Sequence, residues 1–278
     1  MPTFSTTSTP GTVIHYEDVG PHGRPVVLIH GWPLSHRMWE GQVNTLTDAG
    51  YRCVAYDRRG FGESGRPNEG YDYDTLASDL NDLIRNLALK DAVLVGFSMG
   101  GGEVVRYLSR YTDDVHVTAA VLVAAVPPFL LKTPDNPDGI DGSVFDGMLS
   151  AVKANRIGFL EQFMRDFYNL DAAGRDLSGD VVAYAKAIAW GASPVATQQC
   201  ITAFGTTDFR QDLAAITVPT LVVHGDADRI VPIGVSAERS SALITGSRLE
   251  VLPGAPHGLT ATHGDALSAL LIQFLSRV

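Results

Sequence analysis

Short apolar runs alternate along this chain with segments whose apolar residues recur at every third or fourth position. Pro25-Val26-Val27-Leu28-Ile29-His30 is apolar at successive positions, the pattern of a parallel strand covered on both faces. The helix-like stretch Met38 to Ala49 follows, then the strand-like Arg52 to Asp57. Tyr73 to Leu87 places Leu76, Leu80, Leu83, Ile84 and Leu87 on one face of a helix. Next come the apolar run Ala92-Val93-Leu94-Val95, a helical segment at Gly102 to Leu108, and a strand at Val117 to Ala125. Strands alternating with helices predict an α/β fold, a mostly parallel sheet with helices on both faces.

At Pro127 the alternation stops. A Pro/Gly/Asp-rich loop (Lys132 to Gly142) leads into amphipathic segments at Phe145 to Asn155, Gly158 to Phe167 and Val181 to Trp190. It resumes with a strand at Pro219 to His224, a helix at Gly234 to Ala242, a strand at Arg248 to Leu252 and a last helix at Asp265 to Phe274. Long insertions at the carboxyl edge of such a sheet are where ligand sites form. Residues 1–127 and 213–278 are therefore expected to form the core, and residues 128–212 an inserted helical cap.

Composition narrows the function classes. Hydrophobic residues make up 45% and charged residues 19% of the 278 positions, which fits one large folded domain. The net charge of -10, without any lysine- or arginine-rich run, argues against a nucleic-acid partner. The Ser/Thr-rich start, Met1 to Gly11, lacks the apolar core of a signal peptide. The longest apolar stretch, Ala119 to Leu131, is too short to span a bilayer and is broken by Pro127 and Pro128, so no membrane association is expected. Cys53 and Cys200 have neither redox nor metal spacing, which points to a reducing, cytoplasmic setting. No cluster of His, Cys, Asp and Glu has metal-ligand spacing along the chain, so neither metal nor cofactor is expected.

The chemistry centres on Gly96-Phe97-Ser98-Met99-Gly100, directly behind an apolar strand and ahead of a helix. Glycines two places either side of one serine allow a tight, strained turn that holds a hydroxyl out at the end of a sheet. A serine hydroxyl needs a base held by a carboxylate. His257, in the loop Pro253-Gly254-Ala255-Pro256-His257-Gly258 between the last strand and the last helix, can reach over the sheet edge; His263 fits better at the start of that helix. The loop after Pro219 to His224 offers two carboxylates, Asp226 and Asp228. Asp226, next to the strand end, suits a turn-capping role. Asp228, further out, suits the histidine. The order Ser98, Asp228, His257 is the one found for such sites on α/β sheets. An anion hole would take the Met99 N–H, at a helix start, and the Trp32 N–H from His30-Gly31-Trp32-Pro33. Trp32, Phe129 and Ile230, from loops at the same edge, are expected to form an apolar pocket wall. Asp57 to Ser64 reads as a charged turn beside the site, and Asp79 with Asp82 as a solvated helix face.

The chain resembles the cofactor-free haloperoxidases and arylesterases (perhydrolases) of the α/β-hydrolase superfamily. The resemblance runs almost end to end and rests on six segments. They are His30-Gly31-Trp32-Pro33-Leu34-Ser35, Tyr56-Asp57-Arg58-Arg59-Gly60-Phe61-Gly62, Tyr71-Asp72-Tyr73-Asp74-Thr75, Leu94 to Gly100, Pro128-Phe129-Leu130-Leu131-Lys132 and Gly254-Ala255-Pro256-His257-Gly258-Leu259. It implies the α/β-hydrolase fold, Ser98 as nucleophile, Asp228 as acid, His257 as base, and the Trp32 and Met99 amides as oxyanion donors. It further implies hydrolysis of small esters and, from hydrogen peroxide and a short carboxylic acid, formation of a peracid that oxidises halide, with no haem, metal or flavin. Homo-oligomers are compatible with it. Gly174 to Thr207 departs from the family pattern, so the resemblance leaves the acyl and leaving-group range open.

Other readings of the same residues are a lactamase or another amide or C–C bond hydrolase on the same three side chains. A non-catalytic ligand receptor on the hydrolase fold is a further reading. Epoxide hydrolases and dehalogenases are similar in fold but carry aspartate where Ser98 stands. Pro33 restricts Trp32 to extended backbone, an expected means of aiming the Trp32 carbonyl at an attacking peroxide.

Overall fold

The computed structural model describes residues 2–20, 22–111, 116–172 and 177–278. One eight-stranded sheet has the order β1-β2-β4-β3-β5-β6-β7-β8. Its strands are β1 (Thr3–Ser5), β2 (Val13–Val19), β3 (Pro25–Ile29), β4 (Arg52–Tyr56), β5 (Ala92–Phe97), β6 (Val117–Val123), β7 (Thr220–Gly225) and β8 (Arg248–Leu252). From β4 to β8 every pairing is parallel. β3, β5 and β7 are buried at every position, as a sheet covered on both faces requires. The helices between strands are α1 (Glu40–Asp48), α2 (Tyr73–Asn86) and α3 (Met99–Arg110). Then follow α4 (Gly142–Phe167), α5 (Gly179–Trp190), α6 (Pro194–Thr206), α7 (Arg210–Ala214), α8 (Ala237–Leu243), α9 (Leu259–Thr262) and α10 (Gly264–Leu275).

Each core element expected from the apolar pattern is present within a few residues of its expected bounds. The antiparallel ribbon β1–β2, which pairs with β4, was not expected. Polar residues interrupt both strands, so neither a period of two nor a continuous apolar run marks them. The segments Phe145 to Asn155 and Gly158 to Phe167 join as α4, bent at Asn155 (φ -156°, ψ 84°). The Asn155 side chain there accepts from the Gly158 N–H at 3.0 Å and restarts the helix as an internal cap. Residues 174–176 of the departing stretch lie outside the described residues, as do Asp113 and Asp114.

One of the two charged segments differs from expectation. Asp79 is buried rather than solvated, because Thr7 and Ser8 dock across α2. Its carboxylate accepts from Arg59 Nε at 2.6 Å, Arg59 Nη2 at 2.7 Å and Ser8 Oγ at 2.7 Å. Asp57, Arg58 and Arg59 are likewise buried. Arg58 pairs with the buried Glu103 of α3, donates from Nη2 to the His30 carbonyl at 2.6 Å, and donates its backbone N–H to His30 Nε2 at 3.0 Å. The turn is thus a buried ionic strut beneath the loop after β3.

Candidate active site

Ser98 joins β5 to α3 with φ 52° and ψ -118°, a left-handed conformation unfavourable for a residue with a Cβ. The flanking glycines permit it. A Cβ on Gly96 would stand 2.5 Å from the Gly100 carbonyl oxygen, and one on Gly100 would stand 2.5 Å from that of Ile29. Any side chain at either place would push α3 off the sheet. Gly31 plays the matching part across the site, since its Cβ would lie 2.6 Å from the Phe97 ring and 3.0 Å from Ser98 Cβ. The loop carrying Trp32 therefore passes directly beside Ser98.

His257 Nε2 lies 2.9 Å from Ser98 Oγ, and His257 Nδ1 lies 2.6 Å from Asp228 Oδ2. The imidazole packs between Phe97 and Phe167, each with its ring centre 5.0 Å away. Gly258 donates its N–H to the Phe167 carbonyl at 2.8 Å, so the end of α4 clamps the histidine loop. Asp228 Oδ1 accepts the N–H groups of Ile230 (2.9 Å) and Val231 (2.8 Å), leaving Oδ2 to the imidazole. Burial opposes ionisation of Asp228, but the charge of His257 and hydrogen bonds from His224 and His257 outweigh it. They hold the carboxyl well below the usual carboxylate range. Asp226 Oδ1 accepts from the Gly254 N–H at 2.6 Å and ties the β7 and β8 loops together.

His224, near the end of β7, reaches the site from behind Asp228. It is buried, and its Nε2 lies 2.8 Å from the Val231 carbonyl oxygen and 3.2 Å from Asp228 Oδ2. The sequence signal was available: His224 and Asp228 flank one tight loop, four places apart. His263 occupies the N-cap position of α10, and its Nδ1 lies 2.9 Å from Thr262 Oγ1.

A cavity of about 260 Å³ opens above Ser98. Trp32, Leu130, Ile230 and Val231 line its lower wall, and Phe145, Phe159 and Phe163 of α4 with Phe204 of α6 roof it. The Trp32 ring packs edge-on against Phe163 at 5.0 Å and Phe204 at 5.6 Å, and its indole N–H donates to the Thr197 carbonyl at 3.2 Å. Phe129 is a correction: it does not line this cavity. Its ring lies under the Arg210 guanidinium at 5.2 Å, and Leu130, the next residue, faces the cavity instead. Away from this cavity, His15, Glu17 and His36 place one ligand atom each within 4.8 Å of one another.

The family model for the alpha/beta hydrolase fold matches residues 24–263. The chain belongs to the alpha/beta hydrolase family. Within it, a non-heme haloperoxidase of Rhodococcus erythropolis is 43% identical, with 97% of this chain and 98% of that protein covered. A bifunctional esterase/perhydrolase of Acinetobacter calcoaceticus is 38% identical, over 97% of this chain and 98% of that protein. The crystal structure of a bromoperoxidase from Bacillus anthracis superposes with a TM-score of 0.92 at 46% identity, covering 99% of this chain and 100% of that one. The chain is thus a member of the non-heme haloperoxidase and esterase branch of the family.

Proposed function

We propose that this alpha/beta hydrolase cleaves small carboxylic esters through an acyl-enzyme on Ser98, and that hydrogen peroxide competes with water for that intermediate. The observation that carries the reading is the hydrogen-bonded chain from Ser98 through His257 to Asp228 at the floor of an apolar cavity. His257 takes the Ser98 proton as Oγ bonds to the acyl carbon, then returns it to the departing alcohol. Asp228 fixes the imidazole with its lone pair towards Ser98 and stabilises the positive charge that develops. The Trp32 and Met99 amides are assigned to the oxyanion; Met99 opens α3, where N–H groups and the helix dipole favour negative charge.

Water attacking the acyl carbon releases acid. Peroxide attacking it releases a peracid, and the same steps run from a free acid give RCOOH + H2O2 → RCO3H + H2O. The peracid oxidises halide in solution, RCO3H + X⁻ + H⁺ → RCOOH + HOX, so no redox group takes part in the protein-bound steps. The haloperoxidase and perhydrolase relatives support this second activity. Residues 128–212 act as a cap that shapes the acyl pocket, since α4 and α6 supply its roof. Among the described residues no helix is long and apolar enough to cross a membrane. The free thiols of Cys53 and Cys200 favour a reducing compartment, the cytoplasm.

The test is a fluorophosphonate label with peptide mapping, paired with turnover of p-nitrophenyl acetate. The label is expected on Ser98, and Ser98→Ala is expected to lose several orders of magnitude in kcat. Bromination with peroxide, acetate and bromide is expected to vanish in the same variant. A label on another serine, or bromination without any carboxylic acid, would overturn the reading.

A further inference from the structure

We propose that His15, Glu17 and His36 form a binding site for a divalent transition-metal ion, zinc in particular, separate from Ser98. Residues two apart on a strand share a face, so β2 presents His15 and Glu17 together. The short 3₁₀ turn His36–Trp39, which follows the Trp32 loop, brings His36 against them, with the two imidazole ring centres 5.1 Å apart. One donor atom from each side chain lies within 4.8 Å of the other two. His36 Nε2 stands 3.2 Å from Glu17 Oε1. The edge of a tetrahedron with zinc bonds of ~2.0–2.1 Å is about 3.3 Å.

The contact is close but not aligned as a hydrogen bond, and His36 Nε2 has no hydrogen-bond partner. His15 Nε2 is equally buried and equally without one. The two residues are 1% and 3% exposed, so water does not satisfy these nitrogens cheaply. Two imidazole nitrogens without hydrogen-bond partners thus converge with a carboxylate oxygen that is 3.2 Å from one of them, the donor arrangement a metal ion requires.

The surroundings fit a metal as well. Asp57 Oδ1 lies 2.8 Å from His36 Nδ1, the carboxylate partner that fixes the tautomer and turns Nε2 outward as a ligand. Asp57 is itself fixed by the backbone N–H groups of His36 and Glu63, each at 2.8 Å. Gly62 leaves it room, since a Cβ there would stand 2.1 Å from Asp57 Oδ2. The Glu17 side chain is 48% exposed, which gives an ion a way in and leaves one position for water. Two imidazoles and one carboxylate suit zinc and its neighbours rather than magnesium or calcium. Occupied, the site would tie the edge ribbon to the segment that follows Trp32.

The full chain, freed of any affinity tag and treated with a chelator that is then removed, would be titrated with zinc chloride against a chromophoric zinc indicator. One zinc per chain is expected, with the thermal midpoint raised by about 5 °C at a hundredfold excess over Kd. Glu17→Gln, an exposed change that leaves the fold in place, is expected to weaken binding at least ~10-fold, and His36→Gln to abolish it. His22→Gln, at an exposed histidine outside the cluster, is expected to change nothing. Absence of stoichiometric binding would show a plain His36–Glu17 ion pair and overturn the proposal. So would an affinity unchanged by Glu17→Gln or lost in His22→Gln.

Discussion

Replacing Asp228 with Asn changes one atom and reverses one hydrogen bond. The side-chain oxygen of Asn can still accept the Ile230 and Val231 N–H groups at the distances Asp228 Oδ1 uses, 2.9 and 2.8 Å. The amide nitrogen then replaces Oδ2, 2.6 Å from His257 Nδ1 and 3.2 Å from His224 Nε2. The His224 nitrogen donates to the Val231 carbonyl, so two donors now meet there, a cost of about 1–3 kcal/mol in stability. At His257 the NH2 group selects the tautomer that accepts at Nδ1 and carries its proton on Nε2. That proton points at Ser98 Oγ, and the base is lost. A loss of ~10⁴-fold in kcat is the guide, about 5.4 kcal/mol at 1.36 kcal/mol per decade. The assay is kcat with p-nitrophenyl acetate alongside a thermal melt and circular dichroism. Asp226→Asn is the control, expected to lower the melting point while most turnover survives, because it loses only the Gly254 tie. A folded Asp228→Asn variant with more than about a tenth of wild-type kcat would refute the argument, and loss on Asp226→Asn instead would move the role to Asp226.

Three further outcomes are expected. Glu103→Gln strands the Arg58 guanidinium in the core and should cost about 3–5 kcal/mol in denaturant unfolding; a change below 1 kcal/mol would show that Arg58 finds other compensation. His30 is held down to about 3 by burial and then by the Arg58 charge, so below its ordinary 6.5 the unfolded chain gains a proton that the folded chain does not. Stability from this group is complete above 6.5 and falls as pH drops towards 3, by about 2 kcal/mol between pH 7 and 5. His30→Gln, which can keep an acceptor for the Arg58 N–H, should flatten that slope, and parallel slopes in urea melts would refute it. Phe163→Ala removes a ring from the cavity roof, so kcat/KM for hexanoate relative to acetate esters should rise at least ~10-fold; an unchanged ratio would remove the cap from acyl selection.

The hydrogen-bonded arrangement of Ser98, His257 and Asp228 was legible because each part sits where a strand ends. Ser98, Asp228 and His257 follow β5, β7 and β8, and the continuous apolar runs that mark those strands also mark the loops behind them. What escaped the sequence depended on contacts made across long separations. Asp79 looks solvated by helical period, and only the return of Thr7 and Ser8 across α2 buries it. Phe129 and Leu130 are adjacent, and which of them faces the cavity follows from the chain's path after β6 and from Arg210, not from residue type. The triad of His15, Glu17 and His36 joins β2 to a turn, and no spacing rule along one chain segment covers such a meeting.

These long-range contacts converge on the loop that carries Trp32. An oxyanion hole works only if its donors are already in place when charge develops, so the loop's position matters more than its average stability. His30 at its root accepts from the Arg58 N–H, its Nδ1 lies 2.8 Å from the Gly31 carbonyl oxygen, and its own carbonyl accepts from the Arg58 side chain. His36 beyond it is fixed by Asp57, the residue next to Arg58. Ionic groups buried this way add little net stability compared with apolar packing, yet each allows only one arrangement of its partners. A loop seated on apolar contacts alone could shift by a few tenths of an ångström at small cost. Seated on Arg58, Glu103 and Asp57, it cannot move without breaking buried charge-assisted bonds. Such a shift would move the Trp32 amide, the proposed oxyanion donor, relative to Ser98.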